Sequence, residues 1–204
     1  MTKRQERGRA RIAAILDTAE HVITDHGWSR TTTNRVAQEA GISPGSLYQY
    51  FGNKEEIAEA LLGRAATALR TVHEDSREAI RSVADEGLPD SAWDAHVAAV
   101  TAPLLRFHAR HPWFAILWRS LDEPSPARNA LLELEQGMVT ALDGLLEDLG
   151  VPPRAEGGPS ARALLLTFRG FVAFGDVADQ AEDPRDLRMV LSAYLNRCTQ
   201  EESA

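Results

Sequence analysis

A chain of 204 residues with 44% hydrophobic side chains is long enough for one large domain or two small ones around a real core. No apolar run approaches the ~20 residues of a membrane span, and the basic start MTKRQERGRARIAAILD lacks the unbroken apolar core of a signal peptide. The single cysteine, Cys198, excludes an internal disulfide and fits a reducing cytoplasm, where the chain is therefore expected.

The net charge of −8 speaks against nucleic acid until it is divided along the chain. Residues 1–54 carry eight Lys or Arg against five Asp or Glu, a balance of +3, and the rest carries −11. A basic head and an acidic body suit a protein that touches DNA at one end only.

Residues 1–8 read as a flexible arm. Its Lys3, Arg4 and Arg7, with Arg9, are as well explained by a solvated tail as by phosphate contact. A first helix is predicted from Arg9 to His26, with Ile12, Ile15, Leu16, Ala19, Val22 and Ile23 on one buried face and Gly27 as its stop. Trp28 should pack back on this small unit. Thr32 can N-cap a second, short helix whose stripe is Val36, Ala37 and Ala40, and Gly41 ends it. Ser43 and Pro44 begin a third helix as N-cap and first helical residue, running to about Phe51. Asn53 with Glu56 three residues on has the form of a capping box for a fourth.

A short helix, a glycine turn and a second short helix make a helix-turn-helix. Its second helix opens with small residues, which let backbone approach a groove. The Gln49 amide suits a base edge, adenine by preference, and the Tyr48 and Tyr50 hydroxyls suit phosphates. Leu47, Phe51 and Ile42 are expected in the core instead.

The run Ala40-Gly41-Ile42-Ser43 with Leu47-Tyr48-x-Tyr50-Phe51-x-Asn53-Lys54 resembles the DNA-binding domain of the TetR-type transcriptional repressors, over about Arg9 to Arg70. The resemblance implies that Thr32, Thr33 and Asn34 meet a phosphate or base edge. It implies likewise that Pro44, Gly45, Ser46 and Gln49 face the major groove and that Tyr48, Tyr50 and Lys54 hold phosphates. The position of Thr33 is more often aliphatic in that family, so its hydroxyl points to an extra DNA contact or a looser core.

The fourth helix, from Asn53 to about Arg77, carries Ile57, Leu61, Ala65, Leu69 and Val72 and is expected to link head and body. Residues 82–91 read as a connector. A fifth helix, Ser91 to Arg110, contains Pro103, which should kink or split it. His111-Pro112 breaks the chain before a sixth. A seventh, with Leu131, Leu134, Met138, Leu142 and Leu145, ends at Gly150. The eighth, about Ser160 to Gln180, is apolar on nearly every side, which means cover from more than one direction. A ninth begins at Asp183-Pro184. The expected fold is all-α, with about nine helices: a three-helix DNA-binding head over residues 9–70 and a ligand-binding and dimerisation bundle over 71–204.

As a ligand-released repressor, which the resemblance implies, the chain would bind a palindromic DNA operator as a homodimer. Its body would hold a small apolar or aromatic effector. Candidate lining residues are Trp93, His96, Val100, Leu104, Phe107, Trp113, Phe114, Trp118, Met138, Phe168 and Phe171, with ordinary core filling as the competing explanation of each. Asp94, Asp176 and Asp179 would suit a cationic effector if buried. Leu165, Gly170, Ala173, Leu187, Leu191 and Tyr194 on the eighth and ninth helices are the candidate dimer interface, as half of a four-helix bundle.

No cofactor, metal or catalytic residue is expected. His108 and His111 lack a third and fourth ligand, Cys198 stands in no motif, and there is no phosphate-cradling glycine loop. The alternative reading is an acidic helical interaction protein whose helix-turn-helix is purely structural. Repression and activation are not separable by sequence.

Overall fold

The structure is a computed structural model that describes residues 3–85, 93–151, 159–174 and 184–200. Among these residues there are nine α-helices and no strand. They are α1 (Lys3–His26), α2 (Thr33–Glu39), α3 (Pro44–Tyr48), α4 (Lys54–Asp85), α5 (Trp93–Arg110), α6 (Pro112–Ser120), α7 (Pro126–Asp148), α8 (Ala161–Phe174) and α9 (Arg185–Gln200), with a 3₁₀ turn at Trp28–Arg30. No helix among the described residues is long and apolar enough to cross a membrane.

The chain forms two compact units, one of residues 1–66 with 111–133 and one of residues 67–110 with 134–204. In the first, α1 packs on α2 and α6, and α2 packs on α3. Ile15, Leu16, Ala19, Val22 and Ile23 of α1 are buried with Val36, Ala37 and Leu47, as the 3.6-residue periodicity requires. Phe114 and Trp118 of α6 are buried too, with ring centroids 5.3 Å apart. Arg64 ties α4 to α1 by donating to Asp17 at 2.7 Å and to the Ala13 carbonyl at 3.2 Å.

The caps follow the sequence. The Thr32 hydroxyl accepts from the Arg35 amide at 3.1 Å and the Ser43 hydroxyl from the Ser46 amide at 3.1 Å. At α4 the Glu56 amide donates to Asn53 Oδ1 at 2.8 Å, while the Glu56 carboxylate accepts from the Gly52 amide at 2.7 Å. Gly41 sits at φ +63°, which a side chain rarely tolerates. There the Ile42 amide reaches back to the Ala37 carbonyl at 3.0 Å and the Gly41 amide to Gln38 at 3.1 Å, closing α2 in a Schellman motif. Gly150, at φ +66°, ends α7 in the same way.

Several boundaries differ from expectation. Residues 3–8 belong to α1 and are not an arm. The helix α3 is one turn shorter than its sequence pattern, because Gln49 is already the C-cap. The helix α4 runs on to Asp85 with a buried face that includes Ser76 and Ile80. Pro103 does not split α5. It is buried in the second unit, where packing offsets the ~3 kcal/mol that proline costs inside a helix. In that unit α9 packs on α5 and α8. The expected connector lies mostly outside the described residues, as do Asp176, Asp179 and the end of the predicted eighth helix.

Candidate DNA interface and ligand cavity

In the head, a buried leucine fixes an exposed polar face. Leu47 is fully buried and Phe51 nearly so, which orients α3 from behind. Pro44, Gly45 and Gln49 are then exposed, with Ser46 half-buried. The Ser43 and Ser46 hydroxyls lie 2.9 Å apart at the start of the helix. Thr32 and Asn34 are exposed at the start of α2. Most of the polar residues that the sequence singles out here are open to solvent along α2, α3 and the residues just after, with Thr33, Ser46 and Lys54 half-buried.

Tyr48 and Tyr50 are 51% and 37% exposed, large values for aromatic side chains. Thr33 is half-buried, and its hydroxyl lies 3.1 Å from the Tyr48 hydroxyl. The hydroxyl at this position therefore serves a partner within the protein. It fixes the Tyr48 phenol while leaving further hydrogen-bonding capacity on its oxygen. Lys54 lies with Nζ 4.3 Å from the centre of the Trp28 ring and donates to the Trp28 carbonyl at 3.3 Å. An ammonium held in this way spends one of its three donors and keeps two for an anion. A Cβ at Gly45 would meet only the Ser43 hydroxyl, at 4.0 Å, and Gly45 has no left-handed φ. The fold itself does not demand glycine there.

The second unit holds a cavity of about 110 Å³, many times the ~10–15 Å³ that one water needs. Leu69, Val72, His73 and Ser76 of α4 form one wall, and Trp93, His96, Val97, Val100, Thr101 and Leu104 of α5 another. Met138, Ala141, Leu142, Leu145, Leu146 and Leu149 come from α7 and its end, Leu164, Leu165 and Phe168 from α8, and Leu191 and Leu195 from α9. The polar groups are few. Ser76 and Thr101 donate their hydroxyls to the Val72 and Val97 carbonyls of their own helices, at 2.9 and 2.8 Å. His73 is held below its ordinary range, first by burial and then by the Arg77 guanidinium, against the opposing pull of Asp148 and Glu74. Arg77 is itself bound to Asp148 at 2.7 Å.

Of the sequence candidates, Trp93, His96, Val100, Leu104, Met138 and Phe168 line this cavity. Phe107 is buried against His108 and Phe171 is half-buried, neither on the lining. Trp113, Phe114 and Trp118 belong to the first unit. Asp94 is exposed, 3.5 Å from Arg188, and is not on the lining. The leucines of α4 and α7 were not singled out, because a leucine stripe that lines a hole has the same spacing as one that fills a core.

Of the interface candidates, Leu165 and Leu191 line the cavity and Leu187 is buried within the subunit. The Tyr194 hydroxyl accepts from the Ser160 amide at 2.8 Å, beside the start of α8. Gly170 and Ala173 are half-buried. The outward apolar side chains of these two helices are instead Leu166, Met189 and Val190, between 50% and 62% exposed. Among the described residues no three His, Cys, Asp or Glu side chains gather as a metal-binding set.

Residues 15–61, which contain α2 and α3 entire, match the family model described as bacterial regulatory proteins, tetR family. The chain is 26% identical over 197 residues to the HTH-type transcriptional regulator BetI of Burkholderia mallei (strain NCTC 10229), covering 92% of each protein. It is 25% identical over 147 residues to the fatty acid metabolism regulator protein of Bacillus subtilis (strain 168), covering 69% of this chain and 68% of that one. Its fold is similar to that of the transcriptional regulator FadR from Bacillus subtilis, solved in complex with stearoyl-CoA. That likeness has a TM-score of 0.59 and 21% identity, and covers 91% of this chain and 95% of the other. Residues 15–61 thus carry, on an all-α chain, a capped and exposed helix-turn-helix that matches the tetR family of bacterial regulatory proteins.

Proposed function

We propose that the chain is a ligand-released repressor that binds a palindromic operator as a homodimer in the cytoplasm and has no catalytic activity of its own. The observation that carries this reading is the pairing, in one chain, of an exposed polar α2–α3 face with an apolar cavity. Pro44, Gly45, Ser46 and Gln49 enter the major groove, Thr32, Thr33 and Asn34 adjoin it, and Tyr48, Tyr50 and Lys54 hold phosphates on either side.

Leu166, Met189 and Val190 favour a dimer through α8 and α9, because three large apolar side chains this exposed gain by covering one another. The predominantly aliphatic lining favours a small apolar or aromatic effector over a cationic one. The course of α4 supplies the coupling: its first residues belong to the head and Leu69 to Ser76 line the cavity, so an effector that moves this wall acts on the helix that begins beside the DNA face.

A gel shift with the DNA flanking the protein's own gene tests the reading, with sedimentation of the same sample. The expected result is a specific complex of two protomers per duplex. The double substitution Leu166→Glu with Met189→Glu should give a folded monomer that no longer shifts the DNA. A wild-type monomer at micromolar concentration contradicts the dimer.

A further inference from the structure

The DNA face described so far ends at Tyr50 and Lys54, yet Tyr50 also borders a cleft that neither the helix-turn-helix nor the cavity explains. Its other walls are Arg7, Gly8, Ala10, Arg11 and Ala14, all on α1. Arg7 and Arg11 stand four residues apart and so rise from the same side of the helix, one turn above the other. Both are exposed. Gly8, Ala10 and Ala14 carry nothing longer than a methyl group, so the floor between the two cations is low.

Charge balance sharpens this picture. Among the described residues neither Arg7 nor Arg11 makes an ion pair. The acids further along α1 are engaged elsewhere, since Arg64 takes both Asp17 and Glu20, at 2.7 and 3.4 Å. Two uncompensated guanidinium groups and a phenol thus converge on one concave surface, next to the residue that follows α3. A guanidinium presents a planar fork that fits phosphate oxygens, and exposed cations gain most from a polyanion that releases bound counterions.

We propose that Arg7, Arg11 and Tyr50 form a second phosphate-binding cleft, which takes the duplex backbone beside the groove entered by α3. This rests on the DNA-binding reading of α2–α3 and extends it to α1. The ligand is the phosphodiester backbone itself, so the contact adds affinity and fixes the angle of the head without reading sequence.

The test needs no operator. Binding of a fluorescein-labelled random-sequence 30-base-pair duplex is measured by anisotropy from 50 to 200 mM salt. Each phosphate neutralised contributes about 0.9 to the slope of log K against log salt. Arg7→Ala with Arg11→Ala should lower the magnitude of that slope by about 2. It should weaken binding roughly eightfold per lost contact at 0.1 M salt. Arg7→Lys with Arg11→Lys should keep the slope, and Tyr50→Phe should weaken binding at an unchanged slope. Arg81→Ala with Arg106→Ala, an equal charge change at exposed positions of the second unit, should leave it at the wild-type value. Wild-type binding with an unaltered slope in the double alanine variant overturns the cleft and leaves the α2–α3 assignment standing. A wild-type protein that fails to bind the duplex even at 50 mM salt overturns both.

Discussion

Gly45 is the position at which a demand of the proposed DNA contact can be separated from the demands of the fold. It has an ordinary backbone, and a methyl group placed there meets nothing closer than 4.0 Å. Gly45→Ala should therefore leave thermal stability unchanged or raise it by up to ~1 kcal/mol, since alanine is the better helix former, while DNA affinity drops because a methyl group now stands at the groove. A melt and a gel shift on one preparation check both halves. Thr33 and Tyr48 invite a double-mutant cycle. Thr33→Val should weaken DNA binding when Tyr48 is present and do almost nothing in a Tyr48→Phe background, with a coupling of about 0.5–1.5 kcal/mol. Additive effects would mean that Thr33 meets the DNA independently of Tyr48. Most of this head was legible, because capping and turn chemistry are local: Thr32, Ser43, Asn53 and Gly41 do what their residue types dictate. The role of Thr33 was not, since its partner stands fifteen residues away.

Among the elements, α4 departs furthest from its sequence pattern. Its apolar stripe fades after Val72 because the next inward positions include His73 and Ser76. These are the polar groups that α4 contributes to the cavity wall. The pH dependence of His73 follows from burial. The folded protein disfavours its charged form, so its pKa lies below the ordinary 6.5. Above about pH 6.5 the imidazole is neutral in both folded and unfolded chains and this stability is fully present. As pH falls below 6.5 the unfolded chain takes up the proton first, and stability is lost towards the folded-state pKa. His73→Gln should flatten that part of a melting-temperature profile between pH 7 and 5, and a profile identical to wild type would contradict the assignment. The fifth helix teaches a related lesson. A buried proline is tolerated when tertiary packing offsets the lost hydrogen bond, which no local rule can anticipate.

For the whole molecule, the sequence marks both an exposed DNA-reading head and an aromatic-rich body, but it does not sort the aromatics. Trp113, Phe114 and Trp118 fall within one short helix that packs with α1, whereas Trp93 and Phe168 border the cavity. Periodicity reports which side of a helix is buried and is silent on which partner buries it. The same limit applies to α8 and α9, where inward Leu165 and Leu191 and outward Leu166, Met189 and Val190 are chemically alike. In the proposed dimer it is the outward set that pairs the two heads. The most direct measurement of the central claim is selection from a pool of random duplexes by the full-length protein, followed by sequencing of the bound fraction. Two α3 helices related by a two-fold axis predict enrichment of an inverted repeat with half-sites about one helical turn apart, roughly 10 base pairs from centre to centre, or a multiple of it. Enrichment of a single unrepeated site, or a bound fraction no different from the starting pool, would contradict it.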